Sequence, residues 1–278
     1  MKLQVLVPLV TYPEPNSDAV AANSVAVAAQ LGADLHALAL NATIPPVSNA
    51  LSRFLLNVPE MIREAEALSR QRGEQLLDAI RVQASAAGVA ATTNAMALQP
   101  ALLGDAVAAH ARYFDLALIG WEAGNATCRT TAEAAVFGSG RPAILLPELS
   151  IVTAVDHVAI AWDGSRVAAR AVADAMPFLE RAARITILTV VDEKPIEEKN
   201  AGERLAGGLR NRGLQAETAS IRAEDCPIAE TLQQSAIERG CKLLVMGGYG
   251  HSRVRDFVLG GATRGVLDNL LLPVLLSH

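Results

Sequence analysis

Residues 242–267 read KLLVMGGYGHSRVRDFVLGGATRGVL, an apolar run followed by glycines and then by a helical pattern. The glycines of its loop stand at 247, 248, 250, 260 and 261, and two arginines lie between them. A glycine-rich turn between a buried strand and a helix often holds an anion in parallel sheets, although glycines also form ordinary turns. The stretch therefore predicts a strand, a loop and a helix, whose chemistry depends on the rest of the chain.

The same order of elements occurs twice in the chain. DLALIGWEAG (115–124) resembles KLLVMGGYG (242–250), and each is an apolar run that ends in glycines. In both places a helical segment comes before this run and an apolar segment containing proline comes after it. Matched elements in the same order indicate a duplication. The change from one copy to the other falls within residues 147–156.

Short apolar runs alternate with helical segments in each copy. Runs such as ITILTVV are apolar throughout, which is typical of strands buried on both faces of a parallel sheet. The predicted strands are 3–10, 34–40, 90–97, 115–120 and 142–147, then 156–162, 184–191, 215–221, 242–247 and 272–277. We therefore predict an α/β fold with two open five-stranded parallel-sheet domains of Rossmann-like type in tandem, at 1–149 and 150–278.

One of the helical segments is unusually long. It begins at Pro59, a residue suited to a first helical turn, and ends before Gly88. Its apolar residues are predicted to form one buried face. These residues are Ile62, Ala65, Leu68, Leu76, Ile80 and Ala84.

Composition excludes several classes of protein. The net charge is −5 and there is no basic tract, so the positive surface that nucleic-acid binding needs is absent from the sequence. No apolar run approaches the ~20 residues that span a bilayer, so we expect no membrane partner. Cys128, Cys226 and Cys241 lack the spacing of a metal site or a disulfide framework. We expect three free thiols and a cytoplasmic protein.

The ends of the first and fourth strands of the second copy carry the candidate ligand groups, because parallel sheets bind ligands beyond the carboxyl ends of their strands. Asp163, in AWDGS, either accepts hydrogen bonds from a ligand hydroxyl or only forms a turn or a helix cap. Arg253 either adds charge to the glycine loop or is only solvated. His251 fits a turn better than a catalytic base, since no acidic partner is close in sequence.

With these motifs in place, the chain resembles the universal stress protein family. The pattern Gly247-x2-Gly250-x9-Gly260, followed by a helix and PVLLSH, is similar to that family's nucleotide-binding signature. AWDGS and LTVVDE resemble the ends of its first and second strands. The resemblance covers the whole chain as a tandem pair, with the clear motif in the second copy alone, and it implies an adenine nucleotide alpha hydrolase-like fold.

The resemblance also implies roles for individual residues. Asp163 would contact the ribose, and the main chain of Val190 would contact adenine. The phosphates would lie between the glycines and the start of the following helix, which involves Gly247, Gly250, His251, Arg253, Gly260, Gly261 and Thr263. The implied ligand is ATP or AMP, with Mg²⁺ as an optional companion.

The sequence departs from the family pattern at Gly261, where Ser or Thr is usual. Its N–H still donates, while the missing hydroxyl removes about 0.5–1.5 kcal/mol, roughly a two- to tenfold loss of affinity. The first copy departs further. PLVTYPEP has no acidic residue at the matching place, and its glycine region is shorter, so we expect no nucleotide there.

Three functions are compatible with these features. The first is a stress-response sensor or regulator that binds an adenine nucleotide and acts through contacts with an unidentified protein partner. The second is a slow ATPase. The sequence argues against it, because it lacks both the phosphate-binding motif GxxxxGK[ST] and a cluster of carboxylates near the loop. The third is a nucleotide-free interaction module, favoured by Gly261 and by the degenerate first copy.

The two copies are expected to pack together as an intramolecular pseudo-dimer, because duplicated chains commonly keep the symmetric contact of an ancestral homodimer. The strands 142–147 and 272–277 are the edges expected to meet. We expect neither a free linker between the halves nor a single shared sheet. A homodimer of whole chains remains a further possibility.

Overall fold

The computed structural model describes residues 2–46, 57–148, 151–152, 154–192, 200–248 and 261–278. Its strands are β1 Gln4–Val10, β2 Asp34–Ala42, β3 Ala91–Leu98, β4 Leu116–Trp121, β5 Ala143–Pro147, β6 His157–Ala161, β7 Arg184–Val190, β8 Ala216–Ile221, β9 Leu243–Gly247 and β10 Val274–Ser277. Its α-helices are α1 Ala19–Leu31, α2 Val58–Ala86, α3 Leu103–Ala111, α4 Ala126–Gly138, α5 Arg166–Asp174, α6 Met176–Leu179, α7 Ala201–Arg210, α8 Ile228–Glu238 and α9 Gly261–Asp268. All ten predicted strands are confirmed.

The strands of each half follow the same spatial order. The sheet reads β3-β2-β1-β4-β5-β10-β9-β6-β7-β8, so either half runs from its third strand through its second, first and fourth to its fifth. Pairing within each half is parallel. The predicted fold class of two five-stranded parallel units is confirmed.

The last strands of the two halves pair with each other. β5 and β10 run antiparallel, with Leu145 opposite Val274 and Ile144 opposite Leu275. The predicted meeting of these strands is confirmed, but the expectation that the halves would not share one sheet was wrong. Two edge strands that meet side by side satisfy each other's N–H and C=O groups, and this pairing joins the ten strands into one sheet.

Both faces of the sheet are covered. Because successive strand residues point to opposite faces, Val5, Val7 and Leu9 belong to one apolar cluster and Leu6 to the other. The first cluster takes in residues of α1, α2, α5, α6 and α7, and the second takes in residues of α3, α4, α8 and α9. Each cluster contains residues of both halves, so the core is continuous across the β5–β10 junction.

The long predicted helix is present as α2, but its buried face differs in part from the prediction. Leu76, Ile80 and Ala84 are buried as expected, whereas Leu68 is 65% exposed. The buried stripe continues toward the helix start through Gly73 and Ser69 instead. A Cβ on Gly73 would lie 2.4 Å from Asn41 Oδ1, so this close helix–sheet contact has no room for a side chain.

The segment between β5 and β6 is fixed to α1. Gln30 Nε2 donates to Val155 O (2.7 Å), and Val155 N donates to Gln30 Oε1 (2.7 Å). Asn23 makes a similar pair of bonds, to Pro147 O and from Val152 N. The halves are therefore joined by a connection with its own hydrogen bonds, and the expectation of no free linker agrees with these contacts. None of the helices in the described ranges has the length and apolar character needed to cross a membrane.

The three cysteines are free thiols in different surroundings. Cys128 and Cys241 are buried, and Cys226 is exposed. Burial raises the pKa of the Cys128 thiol to about 12 and that of Cys241 to about 11. Both groups therefore stay protonated and unreactive near neutral pH.

We expect one fast-reacting thiol in the folded protein. A thiol reagent at pH 8 should modify Cys226 alone, because only an exposed thiolate reacts readily. Denatured, unreduced protein should give three free thiols, and Cys226→Ser should remove the fast phase. A single free thiol after denaturation would reveal a disulfide and refute this assignment.

Candidate functional site

The carboxyl ends of β6, β7 and β9 meet at one edge of the sheet, called the carboxyl edge below. β6 lies between β7 and β9, and the chain leaves it toward β7 and β8 before returning to β9 and β10. This reversal of direction creates the crevice where open α/β sheets bind ligands. Asp163, Val190 and Gly247 all lie at this edge, each at or just after the end of its strand.

Asp163 lies in an exposed turn between β6 and α5. Its Oδ1 accepts a hydrogen bond from Ser165 N (2.9 Å), and Gly164 between them has a φ of 76°. Ser165 then caps α5, with its Oγ accepting from Ala168 N at 3.2 Å. The turn role anticipated as the alternative for Asp163 is therefore present. Within the described residues Oδ2 forms no hydrogen bond, so the same carboxylate still has an acceptor for a ligand hydroxyl.

The end of β7 exposes main-chain groups toward β6. Val191 N donates to Ile221 O of β8 at 3.0 Å. Because successive residues of a strand direct their N–H and C=O groups to opposite sides, those of Val190 point toward β6. The last described hydrogen bond between β6 and β7 runs from Trp162 N to Leu188 O (2.9 Å), two residues before Val190. The N–H and C=O groups of Val190 therefore face the β6 side, beyond the last described bond between the two strands.

Gly247 is required by packing inside the protein. A Cβ at this position would lie 2.6 Å from the carbonyl carbon of Val167 and 2.7 Å from Ala168 N. The backbone at the start of α5 occupies the space that any side chain on Gly247 would need. The sequence interpretation explained this glycine by close approach of a ligand. The contact between α5 and β9 is sufficient to explain why glycine is needed here.

Gly248 is in contact with the first half of the chain. A Cβ on it would lie 3.1 Å from Phe137 Cε1, near the end of α4. Gly248 N donates to Ser277 O (2.7 Å), and His278 Nδ1 lies 3.0 Å from Gly248 O. The Phe137 and His278 rings meet edge to face at 5.5 Å. The beginning of the glycine loop is therefore held by both halves.

Helix α9 begins with a glycine that has space around it. No described atom lies within 4 Å of a Cβ built on Gly261, whereas Gly265 packs so closely on α8 that a Cβ would lie 2.5 Å from Ala229 Cβ. Thr263 lies in the first turn and is buried, with 3% of the residue exposed. The remaining predicted site residues, Gly250, His251, Arg253 and Gly260, lie outside the described residues.

The first half fills the matching place with its own carboxylate. Gly120, the counterpart of Gly247, would bring a Cβ to 2.5 Å from Glu148 Oε1. Glu148 is 6% exposed and accepts hydrogen bonds from Asn16 Nδ2 (2.6 Å) and Ser17 N (2.7 Å). A buried, hydrogen-bonded glutamate side chain thus lies just before α1, in the part of the fold where an open sheet would admit a ligand.

The first half also caps its own counterpart of α9. Helix α4 follows the fourth strand of its half, as α9 does, and Asn125 precedes it. Asn125 Oδ1 accepts from Thr127 N (3.0 Å) and Cys128 N (2.9 Å), so two free N–H groups of the first turn are satisfied. Sequence reasoning missed Asn125 and Glu148. An asparagine before a helix is a recognisable cap signal, whereas nothing local marks Glu148.

We predict that Gly247→Ala destabilises the protein and that Gly261→Ala does not. The first change forces a Cβ into the α5 backbone and is expected to cost about 1–3 kcal/mol of unfolding free energy. The second places a methyl group where no atom of the described residues lies within 4 Å, at a helix start, where alanine favours helix more than glycine does. Urea unfolding of the two variants measures this difference, and equal stabilities would contradict the described α5–β9 contact.

Comparisons with known proteins agree with this architecture. Residues 154–278 match the model of the Universal stress protein family. A universal stress protein from Archaeoglobus fulgidus DSM 4304 superposes with a TM-score of 0.70 at 16% identity, covering 99% of this chain and 96% of that one. A functionally unknown protein from Pseudomonas aeruginosa PAO1 gives 0.56 at 13% identity, covering 98% and 92%.

Identity at this level shows a shared fold, and no curated protein sequence matched the chain. The family match lies on the half whose carboxyl edge is described above, and the other half repeats its strand order. Residues 154–278 therefore match the universal stress protein family, a family of stress-response proteins.

Proposed function

We propose that the second half of this chain binds an adenine nucleotide and that the protein acts as a stress-response sensor or regulator through protein contacts. The observation that carries the proposal is a contrast between matching helices. In the first half Asn125 satisfies the first turn of α4. In the second half the residue before α9 is Gly260 and the helix begins at Gly261, and neither glycine carries a side chain that could form such a cap. An external anion is the group that such a helix start favours.

The proposed ligand lies along the carboxyl edge. Asp163 Oδ2 accepts from the ribose hydroxyls, and the main chain of Val190 bonds to adenine. The phosphates lie at the start of α9, near Gly247, Gly250, His251, Gly260, Gly261 and Thr263, with Arg253 supplying positive charge. Thr263 lies in the first turn of α9 and is buried, so it would help to shape this end of the site.

The two halves have different proposed roles. Residues 1–149 are a degenerate copy that binds no nucleotide, because Glu148 and Asn125 already occupy its equivalent positions. Residues 150–278 are the binding domain. The shared strand order supports descent of both from one duplicated unit. We further propose that the chain works in the cytoplasm, as an intramolecular pseudo-dimer that is able to form a homodimer.

ATP or AMP is the proposed nucleotide, with Mg²⁺ as an optional companion of ATP. Slow ATP hydrolysis at the same site is the alternative from the enzyme class, and a phosphate-release assay separates it from simple binding. A nucleotide-free interaction module is the other alternative. Mass spectrometry of the small molecules released from denatured, purified protein distinguishes it, because a bound nucleotide would be identified by mass.

Asp163→Ala is expected to weaken ATP, ADP, AMP and adenosine alike, by about tenfold or more, because all share the ribose that loses a charged acceptor. Isothermal titration calorimetry measures the four affinities. Glu238→Ala is the matched control, since it removes an exposed carboxylate from the opposite end of the second half. Wild-type protein that gives no heat with millimolar nucleotide, and an Asp163 variant that behaves identically, would leave the interaction module as the better account.

Changes in the glycine loop should act on the phosphates. Gly260→Val is expected to abolish nucleotide binding while the first half stays folded, because a branched side chain blocks close approach of the backbone. Arg253→Ala should weaken the binding of ATP more than that of AMP, because ATP has more phosphate groups that interact with the lost positive charge. Equal effects of Arg253→Ala on ATP and adenosine would show that this arginine is only solvated.

Gly261→Ser is expected to tighten ATP binding by roughly two- to tenfold, through one added hydroxyl bond to phosphate. None of the described atoms lies within 4 Å of a Cβ at Gly261, so none of them obstructs this side chain. Gly261→Ala is the control, because it adds the Cβ without the hydroxyl. If the serine variant binds ATP no better than the alanine variant, a hydroxyl at position 261 does not bond to phosphate.

A further inference from the structure

Asp192 ties the end of β7 to the loop that follows β8. Its Oδ1 accepts from Ala223 N and its Oδ2 from Glu224 N, both at 2.9 Å. The hydrogen bond from Ala223 N, and after it the one from Glu224 N, hold the pKa of the Asp192 carboxyl below its usual range. The carboxylate is thus engaged through both oxygens with one short piece of backbone.

The loop that Asp192 holds has an unusual conformation. Glu224 has a φ of 51°, and it is the one non-glycine residue with positive φ in the described parts of the chain. A left-handed conformation is uncommon for such a residue and needs surrounding contacts to maintain it. The bond from Glu224 N to Asp192 is such a contact, and Cys226 N to Ala223 O (2.9 Å) closes the same turn.

The position of the Asp192 hydrogen bonds matters because β7 pairs with β8 over two more residues than it pairs with β6. The register with β6 ends at Leu188, while the register with β8 continues to Val190 opposite Ile221. Among the described residues, the last two residues of β7 are therefore paired with β8 and not with β6. Val191 N to Ile221 O and the two bonds of Asp192 are the described attachments on that side.

We propose that Asp192 is a positioning residue for base recognition, which holds the main chain of Val190 at the carboxyl edge by anchoring β7 to the 223–224 turn. This inference rests on the proposed function. Asp192 itself touches no ligand in this arrangement. It fixes the direction in which the N–H and C=O groups of Val190 point, and a purine is read through that pair of groups.

Base selectivity tests this role, because ATP and GTP carry the same ribose and phosphates. The wild-type protein should bind ATP more tightly than GTP. Asp192→Ala should weaken ATP about tenfold and leave GTP nearly unchanged, so that the preference falls toward unity. Asp192→Asn keeps one acceptor oxygen, so its preference for ATP over GTP should lie between those of the wild type and Asp192→Ala. Asp225→Ala, which removes an exposed carboxylate of the same loop, is the control and should match the wild type.

Two further measurements separate positioning from loss of fold. Asp192→Ala should still unfold in one cooperative transition, at a somewhat lower temperature than Asp225→Ala, and amide hydrogen exchange of Ala223 and Glu224 should accelerate in Asp192→Ala alone. Equal losses of ATP and GTP in Asp192→Ala, an unchanged preference, or a wild type without preference would each overturn the inference and leave nucleotide binding intact. A wild type that binds neither nucleotide would instead overturn the proposed function, and this inference with it.

Discussion

The antiparallel pairing of β5 with β10 determines how the rest of the molecule is arranged. Because these strands run in opposite directions, every strand of the first half runs opposite to those of the second. The carboxyl edges of the two halves consequently lie at opposite ends of the sheet. The end of α4 in the first half then reaches the carboxyl edge of the second, which is where Phe137 contacts Gly248.

The two halves solve one electrostatic problem in different ways. Both have a sheet edge with helix starts and their unsatisfied N–H groups. The first half satisfies its edge with side chains of its own, the carboxylate of Glu148 and the amide of Asn125. At the corresponding positions the second half has Gly260 and Gly261, which carry no side chain that could do the same. The difference lies in side chains, since the strand order of the halves is the same.

The sequence predicted the elements well because they depend on local patterns. Ten apolar runs became ten strands, and Pro59 and Gly88 bracket the long helix within two residues. The errors arose where distant contacts decide. Leu68 follows the helical period but is exposed, because the helix turns Ser69 and Gly73 toward β2 instead. The sequence interpretation explained Gly247 by close approach of a ligand, whereas the structure shows that the backbone of α5, distant in sequence, excludes a side chain there. Glu148 and Asp192 act on backbone 131 and 31 residues away, and no local pattern announces such bonds.

Pairing within the chain also changes which surfaces are open to self-association. A single-domain relative with a free last strand would have an edge available for a second copy, but here β5 and β10 occupy each other. The exposed rims of the ten-stranded sheet are β3 and β8, about 43 Å apart if nine gaps of ~4.8 Å separate them. Both rims carry exposed polar residues, such as Thr92 and Asn94 on β3 and Glu217 on β8, rather than a flat apolar strip. Strand-by-strand polymerisation is therefore disfavoured, and a dimer of whole chains would have to assemble through helical surfaces.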